Sequence, residues 1–188
     1  TVLGSGTNMG YNYTPESAID WFPKDAPERT RNFVRQGIAA AKAGLPYNLD
    51  NWGGYPAARS RILAAAQRAD ANLVVITGDS HNGWAYDLPE GGKPAGVEFG
   101  GHSVSSPGFE SATQGTDPST VARGLLEGNK QELRWVDTSN RGYMHLALTP
   151  QAATNEWVFM QTVKDISLAT KTGHKMKVRP GRKVLEQA

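Results

Sequence analysis

The sequence predicts a layered α/β protein, a β-sandwich with helices on its flanks. Three observations carry this. Residues 72–77 hold an unbroken β-rich run, Leu73, Val74, Val75 and Ile76, of the kind found in strands covered on both faces. Two amphipathic segments, 28–43 and 56–69, precede it. Beyond residue 140 the apolar pattern shifts to period two. The chain is thus α/β first and mostly β later, which suits stacked sheets with helices outside.

In order along the chain, Val2 and Leu3 end a short strand, and Gly4 to Asn8 form a loop. Residues 10–27 carry Tyr11, Tyr13, Pro15, Trp21, Pro23 and Pro27, an irregular aromatic excursion. Residues 28–43 read as a helix with Phe33, Ile38 and Ala41 on one side, weakened by Gly37. Residues 47–56 form a loop into a second helix, with Pro56 suited to its first turn. In that helix Ile62, Ala66 and Ala69 keep one face apolar, while Arg59 and Arg61 face water. After the 72–77 strand come turns and short strands, 96–99 the clearest. Asp117-Pro118 then opens a short helix through Leu126, with Asp117 as N-cap. Strands at 142–148 and 156–163 join around Thr149-Pro150, and 175–179 alternates as a surface strand.

The chain has 188 residues, enough for one domain with a real core. Hydrophobic residues make up 38% and charged residues 20%, ordinary for a globular protein. The longest apolar runs are far too short to span a bilayer as a helix, so no transmembrane segment is expected. No signal peptide is visible, and Thr1 to Gly4 read like the middle of a strand, so an N-terminal portion of a longer protein is expected to be missing. With no cysteine, thiolate metal sites, disulfides and cysteine nucleophiles are excluded within the chain. A net charge of +2 is too weak to argue for a nucleic-acid partner. The positive charge gathers late, from Lys171 to Lys183.

The strongest chemical feature is the run from Leu73 to Thr77 into Gly78-Asp79-Ser80-His81. Reactive groups in open α/β layers sit beyond the carboxyl ends of strands. A carboxylate and an imidazole two residues apart suit a hard or borderline metal ion, which polarises phosphoryl oxygens and supplies hydroxide near neutral pH. The same four residues also suit a plain turn, with Asp79 capping and His81 bonded to backbone. A third reading makes Ser80 a nucleophile, as in GDSL-type esterases. Such an enzyme needs a later histidine with aspartate three residues before it, and His102, His145 and His174 all lack one.

A second feature surrounds Asp50. That carboxylate lies among Trp52, Gly53, Gly54 and Tyr55 and either holds a cation or sits in a turn whose aromatics pack on the next helix. Trp84 is expected beneath the Asp79 loop, His102 in a serine-rich turn, His145 on a sheet face, and His174 solvated.

Ordered blocks across residues 45–165 resemble the C-terminal half of alkaline phosphatase D-type (PhoD-like) enzymes. They are Tyr47-Asn48-Leu49-Asp50 with Trp52 and Gly54-Tyr55-Pro56, then Val75 to His81 with Trp84, then Gly96-Val97-Glu98-Phe99 with Ser103 to Gly108. Trp135-Val136-Asp137, Arg141-Gly142-Tyr143, Leu148-Thr149-Pro150, Trp157 and Thr162-Val163 close the series. The resemblance implies a metallophosphoesterase-like two-sheet β-sandwich flanked by helices, present here as its C-terminal portion. One domain is expected over 1–188, with an α/β part and metal loop at 1–90 and a mainly β part with the tail at 91–188.

The resemblance further implies hydrolysis of phosphate monoesters, and often diesters, with Fe3+ and Ca2+ as cofactors; Zn2+ or Mn2+ are also admissible. It implies export, so a periplasmic or secreted location. Asp79 and His81 match the family's late Gly-Asp-x-His motif as metal ligands, with His81 also catalytic. Asp50 is a further metal candidate, and Asn82, Trp52 and Tyr55 are candidates for shaping the substrate pocket. The family's early aspartates and asparagine have no counterpart here, and Ser5-Gly6-Thr7 replaces its usual glutamine. The implied partners are the N-terminal portion of the same protein and a phosphate-ester substrate. Two alternatives stand beside the monoesterase: a phosphodiesterase or phospholipase D-like enzyme on the same scaffold, and a non-catalytic β-rich binding module.

Overall fold

A computed structural model describes residues 1–188. Two sheets are stacked, and helices cover one of them. The first sheet contains β1 (Val2–Gly4), β2 (Leu73–Thr77), β3 (Gly83–Glu90), β4 (Lys93–Gly100) and β5 (Leu133–Asp137), in the order β1-β2-β4-β3-β5. β1, β2 and β4 run parallel, and β3 and β5 run antiparallel to their neighbours. The second sheet is antiparallel, with β6 (Gly142–Leu148), β7 (Ala153–Met160), β8 (Thr170–Val178) and β9 (Glu186–Gln187) in chain order, so β6 is an edge.

Strand alternation decides which side chains meet which layer. Val74, Ala85, Val97 and Phe99 point to the second sheet and pack on Trp157, Phe159, Met176 and Val178. Leu73, Val75, Trp84, Tyr86 and Leu88 point the other way, onto Met9, Trp21, Val34, Leu63, Val121 and Leu125. Those partners come from the 5–27 excursion and from α1 (Glu28–Lys42), α2 (Pro56–Arg68) and α3 (Pro118–Gly128). β2 is covered on both faces, as its unbroken apolar run requires. Residue 90 ends β3 in the β3–β4 hairpin of the first sheet.

Several local expectations are corrected. α1 buries Val34, while Phe33 is exposed. Gly37 belongs in α1 because a Cβ there would sit 2.8 Å from the Thr14 hydroxyl oxygen. In α2 the buried residues are Arg59 and Leu63, and Ala69 is exposed. Arg59, read as facing water, is only 4% exposed. Its guanidinium reaches both Glu132 carboxylate oxygens at 2.9 Å, donates to Met9 O at 2.8 Å, and lies 4.2 Å from the Tyr11 ring centre. Periodicity read this position as polar and outward; a buried carboxylate 73 residues away reverses that. β7 starts at Ala153 rather than 156, and β8 starts five residues before the 175–179 segment. His174 is not free in water. It stacks on Trp135 with centroids 4.5 Å apart, and burial lowers its pKa.

The helical excursion is fixed to the first sheet by a second buried carboxylate. Glu98 on β4 is fully buried. It accepts from Met9 N at 3.0 Å, Gly10 N at 2.6 Å and the Thr77 hydroxyl at 2.6 Å. Gly10 lies so close to Tyr86 that a Cβ would come within 2.3 Å of the ring. Burial lifts the Glu98 pKa from the ordinary 4.5 to about 7, against the pull of its three donors.

Two measurements test these buried charges. Arg59→Ala leaves Glu132 buried without its cation and is expected to cost about 3–5 kcal/mol in denaturant unfolding; a loss below 1 kcal/mol would refute the role given to the pair. For Glu98 the native state holds the proton more tightly than the unfolded chain. Its stabilising contribution is therefore full below pH 4.5 and declines as pH rises to about 7. Glu98→Gln should flatten the fall in unfolding free energy across that window, and an unchanged slope would contradict the raised pKa.

Candidate metal loop at the end of β2

The parallel strands β1, β2 and β4 present their carboxyl ends to one side of the molecule. There the chain must pass from β2 to β3, and β4 lies between them. Residues 78–82 make this crossing. They cover two inter-strand spacings, about 10 Å, and reverse direction in five residues. The backbone is correspondingly forced: Asp79 has φ +67° and His81 φ +60°. Aspartate and histidine tolerate this left-handed region better than most residues, but it costs of order 1–3 kcal/mol per residue.

The surroundings hold the loop in that shape. Ser80 N donates to Gly78 O at 2.8 Å. The Ser80 hydroxyl oxygen accepts the Trp84 indole N–H at 2.5 Å, so Trp84 is buried beneath the loop as the sequence suggested. Asn82 is buried too; its amide nitrogen donates to Ser80 O at 2.6 Å and its amide oxygen accepts from Phe109 N at 3.1 Å. Asn82 therefore acts on any pocket through the backbone it holds. Gly101 N donates to Thr77 O at 2.8 Å, seating the end of β4 against the start of the loop.

Asp79 and His81 are exposed. His81 Nδ1 lies 3.1 Å from Pro107 O. A carbonyl only accepts, so Nδ1 carries the proton in this bond and the Nε2 lone pair is left for another group. Histidine ligands to metals are commonly held this way. Asp79 caps no turn, and its carboxylate makes no hydrogen bond or ion pair within the chain. Its carboxylate therefore stands in solvent on a strained backbone. Ser80 has no histidine at its hydroxyl; its neighbours are the Trp84 indole and Asn82.

The loop at 47–55 lies at the same end. Trp52 Nε1 donates to the Ser5 hydroxyl at 2.9 Å, just past the end of β1. Tyr55 is exposed at the start of α2. Asp50 is exposed, with its backbone N–H on Asn48 Oδ1 at 2.8 Å. No three His, Asp or Glu side chains come together as a metal-holding group, so Asp50 does not form a triad with Asp79 and His81.

The serine-rich turn after β4 is structural, with the Ser103 hydroxyl donating to Ser106 O. His102 is buried against Phe159, rings edge-to-face at 5.2 Å, and neither ring nitrogen has a partner. Burial lowers its pKa. Sequence reasoning also missed Glu98 and Glu132 as supports of this end; the burial of a lone glutamate in a β-rich run such as 96–99 was the available signal.

Replacing Asp79 by glycine tests the strain argument. Glycine adopts the left-handed backbone freely but loses more entropy on folding, roughly 0.5–1 kcal/mol. Asp79→Gly should leave unfolding free energy within about 1 kcal/mol of the parent, or raise it. A larger loss in thermal or denaturant melts would mean that Asp79 holds the fold.

The family model of PhoD-like phosphatases matches residues 11–157. Alkaline phosphatase D of Bacillus subtilis (strain 168) is 31% identical over 153 residues, covering 75% of this chain and 25% of that protein. A solved structure titled "Structure of PhoD" superposes with a TM-score of 0.65 at 22% identity, covering 100% of this chain and 31% of that one. The chain thus spans about a quarter of the length of the curated relative it matches. Its two-sheet α+β architecture is that of the solved relative, and the chain belongs to the PhoD-like phosphatase family.

Proposed function

We propose that this chain supplies the late metal-binding loop of a metal-dependent phosphomonoesterase, with an N-terminal portion of the same protein completing the site. The observation that carries the reading is Asp79, a strained, exposed carboxylate without a partner, beside an imidazole whose other nitrogen is anchored on Pro107 O. One carboxylate and one imidazole nitrogen fit Fe3+, Zn2+ or Mn2+ well, and a carboxylate alone fits Ca2+. Since no third ligand joins them, the remaining ligands belong to the N-terminal portion. Iron and calcium remain the metals the family resemblance favours, and the same resemblance favours a periplasmic or secreted enzyme.

When bound, such ions polarise the phosphoryl group and make hydroxide available near neutral pH. Asp79 offers charge without needing to break an existing bond. His81 is fixed in one tautomer by Pro107, so its free nitrogen is aimed before substrate arrives. Asn82 and Trp84 keep both residues in place through the backbone and Ser80. Trp52 and Tyr55 line the same end and are assigned to the pocket wall, and Asp50 to an outer ligand position.

The complete protein should hydrolyse p-nitrophenyl phosphate, and a chelator should stop it. Asp79→Ala combined with His81→Ala should lower kcat by at least a factor of about 1000, the scale expected for lost metal catalysis. Activity within tenfold of the parent would sink the assignment. Rates on bis(p-nitrophenyl) phosphate against the monoester decide between monoesterase and diesterase.

A further inference from the structure

His81 Nδ1 and the Glu110 carboxylate bond to opposite edges of one peptide unit. The Pro107 carbonyl lies 3.1 Å from His81 Nδ1. The amide N–H of the same unit, that of Gly108, donates to Glu110 Oε2 at 3.1 Å and Oε1 at 3.3 Å. The unit is planar and trans, so its C=O and N–H point in opposite directions. Fixing the N–H on one side therefore aims the carbonyl on the other. A carboxylate acceptor also makes a charge-assisted bond. It draws the amide proton and shifts electron density onto the carbonyl oxygen, which becomes the stronger acceptor for the imidazole N–H.

This peptide unit is seated on the 78–82 loop. Gly108 is buried. A Cβ there would collide with Asn82 Oδ1 and come within 3.0 Å of His81 O. Phe109 N donates to the same Asn82 oxygen at 3.1 Å. Glu110 is held in turn by Arg141, whose Nη2 meets Glu110 Oε1 in an ion pair with side chains only 11% and 28% exposed. Arg141 Nη1 donates to Ser139 O at 3.0 Å and Asn140 O at 3.1 Å, which ties the pair to the connection between β5 and β6.

We infer that Glu110 is a positioning residue for His81: through the Pro107–Gly108 peptide it keeps the imidazole proton on Nδ1 and leaves Nε2 free for a cation. Arg141 holds Glu110 in place for this. Groups behind a metal-binding histidine usually touch its ring directly; here a backbone amide stands between the carboxylate and the imidazole. The inference rests on the phosphoesterase reading above and names the group that orients its histidine.

Proton–nitrogen correlation spectra of the chain labelled with nitrogen-15 histidine report the tautomer, at about pH 9 where imidazole is neutral. His81→Gln identifies the His81 signals by their loss. The parent is expected to carry the proton on Nδ1. Glu110→Ala removes the acceptor of Gly108 N, and most of His81 should pass to the Nε2-protonated form that free histidine favours in water. Glu110→Met, closer in length to glutamate, is read identically should the alanine variant not fold. Glu110→Gln keeps an oxygen for Gly108 N and should keep most of the proton on Nδ1. Glu16→Gln, which breaks an exposed pair with Lys42, should leave the His81 signals unchanged. A parent protonated on Nε2 overturns the inference. So does undiminished Nδ1 protonation in a folded Ala or Met variant, an equal loss in Glu110→Gln, or a shift in Glu16→Gln. In the complete protein Glu110→Met should lower kcat for p-nitrophenyl phosphate roughly 10–100-fold, the scale for groups behind a metal-bound histidine, and Glu110→Gln should recover most of it. A tautomer shift with unchanged kcat refutes the role in turnover alone. A parent that shows the expected tautomers and hydrolyses no phosphate ester refutes the phosphoesterase reading and leaves Glu110 as the residue that orients His81.

Discussion

The buried carboxylate of Glu98 is the constraint on which the rest of this structure depends. It sits in the middle of a central strand, yet its bonds run outward in two directions: to the backbone of Met9 and Gly10, and to the hydroxyl of Thr77. Thr77 is the last residue of β2, immediately before the loop bearing Asp79. A single side chain therefore fixes where the aromatic excursion crosses the sheet and where the site loop begins. A buried acid is expensive unless its oxygens are satisfied. Here three donors satisfy it, and a neighbouring buried pair, Arg59 and Glu132, ties the same excursion to α2 and to the turn before β5.

The loop proposed to bind metal sits on top of this rigid base. The 78–82 loop is strained, but the strain is confined to two residues whose side chains face outward, while Ser80, Asn82 and Trp84 between and behind them are buried or hydrogen-bonded. Precise sites are usually built this way, with reactive groups on a short segment locked by neighbours that do no chemistry. The backbone carbonyl of Pro107 adds a further lock by selecting the histidine tautomer. These supports come from two separate parts of the chain, 80–84 and 107–109, so the loop's shape is a tertiary property rather than a local one.

Much of this was legible in the sequence, and the rest was hidden for identifiable reasons. The 73–76 run announced a strand covered on both faces, and Gly78-Asp79-Ser80-His81 announced a turn at its end. Asp117-Pro118 announced a capped helix start, and Asp117 does accept from Ser119 N at 2.8 Å. What sequence periodicity concealed were the long-range pairings. Arg59 reads as a solvated helix residue until Glu132 is seen behind it, and His174 reads as part of a basic tail until Trp135 is seen beneath it. β3 was hard to find because Gly83, Asp87 and Pro89 break its pattern, although its pairing with β4 and β5 is extensive. The Glu110–Arg141 pair joins residues 31 positions apart, and no local pattern encodes that.

The second sheet ends at β6, whose seven residues pair only with β7. Its outer side offers a row of amide and carbonyl groups in extended geometry, with Tyr143, Ala147 and Leu148 exposed along it and neither proline nor lysine to interrupt pairing. Such a margin is a template for strand addition. Self-association of this polypeptide at high concentration would thus proceed along the hydrogen-bonding direction of that sheet, lengthening it strand by strand.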